Sequence, residues 1–292
     1  DRLTDGAVAV AEKMKMPQIV IGLTIVAMGT SMPEFCVSFI SALKGTSDLA
    51  VGNIVGSNIF NALLIVGVSA LVAPMTIMET TVRKDIPFAL VASALLLIMC
   101  LDGNISRLDA GILFVMFLIF MYMTLKGAKK QGADAEEAIE GEGKEPMATW
   151  LSVVWILVGL LCLIGGSNLF VEGATAVATN LGVSEAVIGL TIVAGGTSLP
   201  ELATSVVSAR KGNSGIAIGN ALGSNVFNIL AILGITGMIT PMTLKGITYI
   251  DLSMLVISIM LVWLFSFTKY KIERWEGAVL TAVFVGYIYS LL

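Results

Sequence analysis

Two copies of one six-residue motif each place a carboxylate inside an apolar segment of this 292-residue chain. The first copy, Gly-Thr-Ser-Met-Pro-Glu, ends at Glu34, and the second, Gly-Thr-Ser-Leu-Pro-Glu, ends at Glu201. An acidic side chain at the centre of a membrane-spanning helix raises the free energy of insertion by about 2.5–3.5 kcal/mol. Because the chain keeps two such groups, we predict that both are functional, as cation ligands or as proton carriers.

Each glutamate has hydroxyl groups beside it in the motif. A threonine four residues earlier and a serine three residues earlier lie on the same helical face as the glutamate. These residues are Thr30 and Ser31 before Glu34, and Thr197 and Ser198 before Glu201. The proline directly before each glutamate has no N–H to donate, which predicts a kink in the helix at each motif.

A polar stripe follows each motif further along the chain. Its side chains are four residues apart, so on a helix they lie along one slowly drifting face. The stripes consist of Asn53, Ser57 and Asn61, and of Asn220, Ser224 and Asn228. If the two halves meet at the bilayer midplane, these groups and the two carboxylates surround a small cavity. A ligand set made only of hard oxygen atoms suits Na⁺ and Ca²⁺, and two carboxylates balance one divalent cation.

Other residues near the stripes have structural interpretations. For Asn58 and Asn225, capping or cross-linking of helices is the alternative to contact with an ion. Six glycines in the same segments are predicted to allow close helix packing rather than to bind a ligand. They are Gly52, Gly56 and Gly67, with Gly219, Gly223 and Gly234 in the second copy.

The composition is that of an integral membrane protein. Hydrophobic residues make up 57% of the chain and charged residues 13%, and the mean hydropathy is +0.93. The formal charge of −4 is spread over connecting segments without a basic patch, which excludes nucleic-acid binding. With no histidine and three scattered cysteines, the chain has neither a zinc motif nor a disulfide framework. We predict no cofactor.

An internal repeat predicts the fold class. An offset of 167 residues aligns 20–75 with 187–242 without a gap, and more than half of the aligned positions are identical. The apolar stretch 150–166 has no counterpart before residue 1, so we expect that the structure lacks most of a first helix; the alternative is a chain truncated at its N-terminus. With that fragment, the apolar runs give an all-α membrane protein of ten transmembrane helices. The runs are 17–43, 49–72, 87–101, 110–125, 150–178, 183–209, 216–239, 247–267 and 275–292.

Five helices in each half imply that the copies enter the membrane from opposite sides, as inverted repeats. The predicted first repeat is 1–125, the cytoplasmic linker is 126–148, and the second repeat is 149–292. The linker is polar and predicted to be flexible.

Lysine and arginine predict the orientation. With the linker in the cytoplasm, thirteen basic residues face the cytoplasm, which the positive-inside rule favours, and both termini lie outside. The thirteen are Lys13, Lys15, Arg83, Lys84, Lys126, Lys129, Lys130, Lys144, Arg210, Lys211, Lys269, Lys271 and Arg274. Chiefly Lys44, Arg107 and Lys245 are left outside. The predicted location is the cell membrane, or inner membrane, of a bacterium or archaeon.

The doubled motif and the Gly-Asn…Gly-Ser-Asn-[Ile/Val]-Phe-Asn segments at 52–61 and 219–228 resemble the two alpha-repeats of the cation/calcium exchanger superfamily. The likeness is greatest to its sodium/calcium exchangers. Asparagine at both 61 and 228 resembles the potassium-independent type. The resemblance implies Ca²⁺/Na⁺ antiport by alternating access in a chain that is not an enzyme. The implied ion ligands are Glu34, Glu201, Thr30, Ser31, Ser57, Asn61, Thr197, Ser198, Ser224 and Asn228, with the backbone carbonyls of Ala27 and Ala194.

Two alternatives remain open from the sequence. In a proton/calcium exchanger, Glu34 and Glu201 would carry the protons. In a membrane enzyme, they would act as an acid and a base, although no nucleophile or phosphate-binding loop accompanies them. The expected partners are Ca²⁺, Na⁺, H⁺ as a competitor, and the lipid bilayer, and we expect a monomer.

Overall fold

The apolar segments form helices in the computed structural model of the chain, which describes residues 2–14, 16–135, 149–267 and 269–291. The helices of the first half are α1 (Arg2–Lys13), α2 (Gln18–Ile21), α3 (Ala27–Thr30), α4 (Met32–Leu43), α5 (Ser47–Ile59), α6 (Val66–Val72), α7 (Ile86–Met99) and α8 (Arg107–Ala135). Those of the second half are α9 (Thr149–Asn180), α10 (Glu185–Ile188), α11 (Ala194–Thr197), α12 (Leu199–Arg210), α13 (Ser214–Val226), α14 (Leu233–Ile239), α15 (Tyr249–Ser266) and α16 (Arg274–Leu291).

Within the described ranges, six helices are long and apolar enough to span a membrane, and the number of spans rises to eight if each of two bent helix pairs is counted as one span. Helix α1 has only 12 residues, and α16, with 18, is not among the eight. An all-helical membrane fold is therefore confirmed, whereas the count of ten helices stays a prediction. The six single spans are Ser47–Val72, Thr81–Asp102, Arg107–Gly127, Trp150–Asn180, Ser214–Ile239 and Tyr249–Ser266.

The predicted kinks occur at the two glutamate motifs. The pair Gln18–Thr30 and Met32–Leu43 is bent by 46°, and the pair Ala186–Thr197 and Leu199–Arg210 by 45°. At each bend the serine of the motif leaves helical geometry, with φ −82° and ψ 9° at Ser31. The proline that follows occupies the first turn of the next helix, where no N–H is needed.

Short π-helical turns interrupt the helices that carry the motifs and stripes. They occupy Gly22–Val26 and Phe60–Ile65 in the first half and Gly189–Val193 and Phe227–Ile232 in the second, with one more at Thr81–Asp85. Such turns are rare and are often found at functional sites. The turns at 60–65 and 227–232 contain Asn61 and Asn228, so the last polar residue of each stripe is presented from a widened turn.

The two helices with polar stripes form the centre of the molecule. The most apolar windows of Ser47–Val72 and Ser214–Ile239 are 78% and 83% buried, against 7–39% for the other single spans. Most of each of these two helices is surrounded by other parts of the protein, and the asparagine and serine side chains of their stripes are buried.

Glycines allow helices from opposite halves to cross closely, as the sequence predicts. A Cβ atom on Gly56 would lie 2.5 Å from the carbonyl oxygen of Leu190, and one on Gly223 would lie 2.7 Å from both Cα and O of Leu23. A Cβ atom on any of the other four predicted packing glycines would also lie within 3.4 Å of an atom in a neighbouring segment of the chain. Helix α5 therefore packs on the turn Gly189–Val193, and α13 packs on Gly22–Val26.

Two small antiparallel sheets, not predicted from the sequence, join the halves at opposite ends of the helices. Strand β1 (Met75–Thr76) pairs with β4 (Lys271–Ile272), and β2 (Asn104–Ile105) pairs with β3 (Met242–Thr243). At the β2–β3 end, Asp48 also accepts hydrogen bonds from the backbone N–H of Lys245 and Gly246, at 2.9 and 3.0 Å. The loops with the three basic residues assigned to the outside thus meet at one end. Which end faces the cytoplasm stays a prediction.

Part of the predicted linker is helical. Helix α8 continues through Lys126 to Ala135, so the first ten residues of 126–148 extend a spanning helix instead of forming a flexible connection. Residues 136–148 lie outside the described part of the chain.

Candidate ion-binding site

The carboxyl groups of Glu34 and Glu201 are fully buried and are bound by residues of the opposite half. Ser198 donates a hydrogen bond of 2.9 Å to Glu34 Oε1, and Ser31 donates one of 2.8 Å to Glu201 Oε1. The sequence predicts instead that each serine shares a face with the glutamate of its own motif. The difference follows from the bend at the serine, which separates it from the helix that carries its own glutamate.

The serines of the two stripes approach the same carboxylate oxygens. Ser57 Oγ lies 3.5 Å from Glu34 Oε1, and Ser224 Oγ lies 3.3 Å from Glu201 Oε1. Each of these serines belongs to the same half as its glutamate. Every carboxylate is thus held between one hydroxyl from its own repeat and one from the other.

The threonines of the motifs are held by the first asparagine of the opposite stripe. Thr30 donates to Asn220 Oδ1 at 3.0 Å, and Thr197 donates to Asn53 Oδ1 at 3.1 Å. The amide nitrogen of Asn53 donates to the backbone carbonyl of Glu34 at 3.3 Å. Since each threonine gives its proton to an amide oxygen, its own lone pairs remain available to a cation.

Four buried oxygen atoms of the predicted ligand residues have no hydrogen-bond partner. They are Oε2 of Glu34, Oε2 of Glu201, Oδ1 of Asn61 and Oδ1 of Asn228. All four residues have no solvent exposure. Buried polar atoms are normally paired, and acceptors left without donors are the groups that a cation satisfies. We call these four atoms, with the hydroxyls of Thr30, Ser31, Ser57, Thr197, Ser198 and Ser224, the central oxygen cluster.

The backbone carbonyls of Ala27 and Ala194 lie beside the cluster. Ala194 O lies 3.3 Å from Ser57 Oγ and 3.3 Å from Thr197 Oγ1. Ala27 O lies 3.3 Å from Thr30 Oγ1. Both carbonyls are therefore adjacent to hydroxyl groups of the cluster.

Asn58 and Asn225 cross-link the two central helices. The amide nitrogen of each donates to the backbone carbonyl of the other, at 3.1 and 3.2 Å. Their amide oxygens accept from Asn228 and Asn61, at 3.0 and 3.1 Å. The cross-linking interpretation from the sequence is confirmed, and neither residue presents an unpaired atom.

The donor types define the chemistry of the site. Among the residues that the structure describes, no group of three or more histidine, cysteine, aspartate or glutamate side chains could hold a metal ion. The central oxygen cluster combines two carboxylates with neutral hydroxyl and amide oxygens. Such a set fits hard cations, including Na⁺ and Ca²⁺, and its flexible, mixed ligands fit Ca²⁺ better than the strict octahedron of Mg²⁺.

The sequence matches the family described as sodium/calcium exchanger protein over residues 1–126 and 151–292. It is 38% identical over 299 residues to the putative antiporter CaxA of Alkalimonas amylolytica, covering 100% of this chain and 93% of that protein. It is 31% identical over 333 residues to the sodium/calcium exchanger MaX1 of Methanosarcina acetivorans, covering 100% and 93%. The fold is similar to that of the sodium-calcium exchanger NCX_Mj soaked with Na⁺ and Ca²⁺, with a TM-score of 0.83, 30% identity and coverage of 100% and 93%.

Proposed function

Because the chain belongs to the sodium/calcium exchanger protein family, we propose that it exchanges Ca²⁺ for Na⁺ across the cell membrane by alternating access to the central oxygen cluster. The family match makes it a cation/Ca²⁺ antiporter whose relatives are transporters rather than enzymes. The twelve ligand residues named from the sequence are proposed to bind the ions in turn.

One observation carries this proposal: the four unpaired buried oxygens of Glu34, Glu201, Asn61 and Asn228 come equally from both halves. Ions of either kind would use the same carboxylates, so Ca²⁺ and Na⁺ compete for the site. A shared site that holds one kind of ion at a time couples the two fluxes. Both carboxylates belong to a single chain, which supports function as a monomer.

The proposed orientation places 126–148 in the cytoplasm and both termini outside. The separation of basic loops supports it, because the loops near Lys44, Arg107 and Lys245 gather at one end, where Asp48 and the β2–β3 sheet connect them. The positive-inside rule assigns that sparsely basic end to the outside.

Transport of ⁴⁵Ca²⁺ into Na⁺-loaded proteoliposomes tests the function. We expect rapid uptake when the vesicles are diluted into Na⁺-free medium, and none when Na⁺ is equal on both sides or when the liposomes lack protein. A third condition, with an acidic interior and no Na⁺, tests protons as the counter-ion. Uptake in that condition alone would make the chain a proton/calcium exchanger, and no uptake under any gradient would refute antiport of Ca²⁺.

The serines that bond across the halves should be needed for Ca²⁺ affinity. Ser31→Ala and Ser198→Ala each remove a hydroxyl that orients a carboxylate of the opposite repeat. We expect each change to raise the half-saturating Ca²⁺ concentration by about 10- to 100-fold, the usual range when a group that orients a metal ligand is lost.

The matched control for this prediction is Ser93→Ala. Ser93 is equally buried, but its hydroxyl donates to Ala89 O in its own helix at 2.9 Å. Half-saturation by Ca²⁺ should be unchanged in the control. Equal effects in all three variants would mean that loss of any buried hydroxyl, rather than carboxylate orientation, explains the result.

A further inference from the structure

The orientation of the Asn58 carboxamide is fixed by a backbone carbonyl, which can accept a hydrogen bond but cannot donate one. Its amide nitrogen faces the backbone carbonyl of Asn225 at 3.1 Å, and the nitrogen of Asn225 faces the carbonyl of Asn58 at 3.2 Å. A rotation of either amide by 180° would bring two acceptor oxygens together in a fully buried place. The backbone thus determines where each amide oxygen points.

Those oxygens in turn select the orientation of two other amides. Asn58 Oδ1 accepts from Asn228 Nδ2 at 3.0 Å, and Asn225 Oδ1 accepts from Asn61 Nδ2 at 3.1 Å. With their nitrogens held in this way, Asn61 and Asn228 each keep the amide oxygen as the buried, unpaired atom of the side chain. The opposite rotamer would direct an NH₂ group at the cation, removing a ligand and adding a positive dipole.

We propose that Asn58 and Asn225 are positioning residues that keep the amide oxygens of Asn61 and Asn228 directed at the bound cation. This assignment rests on the proposed function of the central oxygen cluster as an ion site. It also specifies partners: Asn58 acts through Asn228, and Asn225 acts through Asn61, so each orienting residue serves a ligand of the opposite half. A cross-link with a purely structural role would not distinguish between these partners.

A set of double variants tests the assignment by direct binding of ⁴⁵Ca²⁺ to the purified protein in Na⁺-free buffer. Asn58→Leu alone should raise the dissociation constant by about 10- to 100-fold. Adding it to Asn228→Leu should have almost no further effect, because the amide that it orients is already absent. Adding it to Asn61→Leu should multiply the two single effects, since Asn61 is oriented by Asn225. The mirror set with Asn225→Leu should give the reverse pattern.

The binding constant is measured on protein that elutes as the folded species, so a loss of folded material does not change it. Where a leucine variant is not recovered folded, Asn58→Ser and Asn225→Ser replace it, because a serine hydroxyl can bond within its own helix. Multiplying effects in both pairs, or single variants that bind Ca²⁺ within threefold of the unchanged protein, would overturn the assignment. Since binding is read without any ion gradient, this outcome is distinct from a failure of Na⁺-driven transport.

Discussion

Glu34→Gln and Glu201→Gln are each expected to abolish Ca²⁺ uptake. Glutamine keeps the size of the side chain but removes one of two negative charges and replaces an acceptor oxygen with an NH₂ donor. In the occupied site each carboxylate pairs with the bound cation, and removal of one partner from a buried pair of opposite charges costs about 3–5 kcal/mol. At about 1.4 kcal/mol for each tenfold change, Ca²⁺ affinity should fall by at least about 100-fold.

Uptake of ⁴⁵Ca²⁺ by Na⁺-loaded proteoliposomes measures this effect, with Glu79→Gln as the control. Glu79 is an exposed glutamate that pairs with Arg83 at 2.8 Å, so its loss removes the same charge away from the ion site. The control should transport as the unchanged protein does. Full uptake by either Glu34→Gln or Glu201→Gln would refute the role given to both carboxylates, because the two halves contribute equivalent contacts.

Gly56→Ala and Gly223→Ala should strongly reduce the stability of the fold and, with it, the affinity of the site. A Cβ on Gly56 would lie 2.7 Å from the Cβ of Ala194, and one on Gly223 would lie 2.8 Å from that of Ala27. Relief of these contacts must separate helices that carry ligands from opposite halves. Overpacking of this kind costs about 1–3 kcal/mol or more.

The loss of stability is measured as the unfolding temperature, by size-exclusion chromatography of samples heated to increasing temperatures. Gly111→Ala and Gly286→Ala are the matched helical controls. A Cβ at either control position meets nothing within 4 Å. Alanine should be neutral there, or stabilising by up to about 1 kcal/mol through helix propensity. If Gly56→Ala unfolds at the same temperature as the controls, close helix crossing is not what these glycines provide.

The sequence indicates which buried polar residues come together better than it indicates the hydrogen bonds between them. Glu34 and Glu201 are recognisable because a carboxylate in an apolar segment needs a function, and each neighbouring proline predicts the bend. The exchange of Ser31 and Ser198 between the halves depends on how close two bent helices approach each other. Hydropathy and helical spacing contain no information on that distance.

In the fold, too, features that depend on neighbouring residues are predicted, whereas contacts between distant segments are not. Long apolar helices follow from composition, and the packing role of Gly56 and Gly223 follows from their place beside polar stripes. The sheets of β1 with β4 and β2 with β3 were missed because strands of two residues leave no alternation to detect. The continuation of α8 to Ala135 was missed because a polar segment rich in alanine and lysine suits both a linker and a solvent-exposed helix.

The two small sheets have a consequence for how the polypeptide acquires its shape. Each sheet takes one strand from either copy, so neither copy completes its own edge pairing. Neither sheet can therefore form from one copy of the duplicated sequence alone. Like the central oxygen cluster, both sheets are complete only when the two copies have come together.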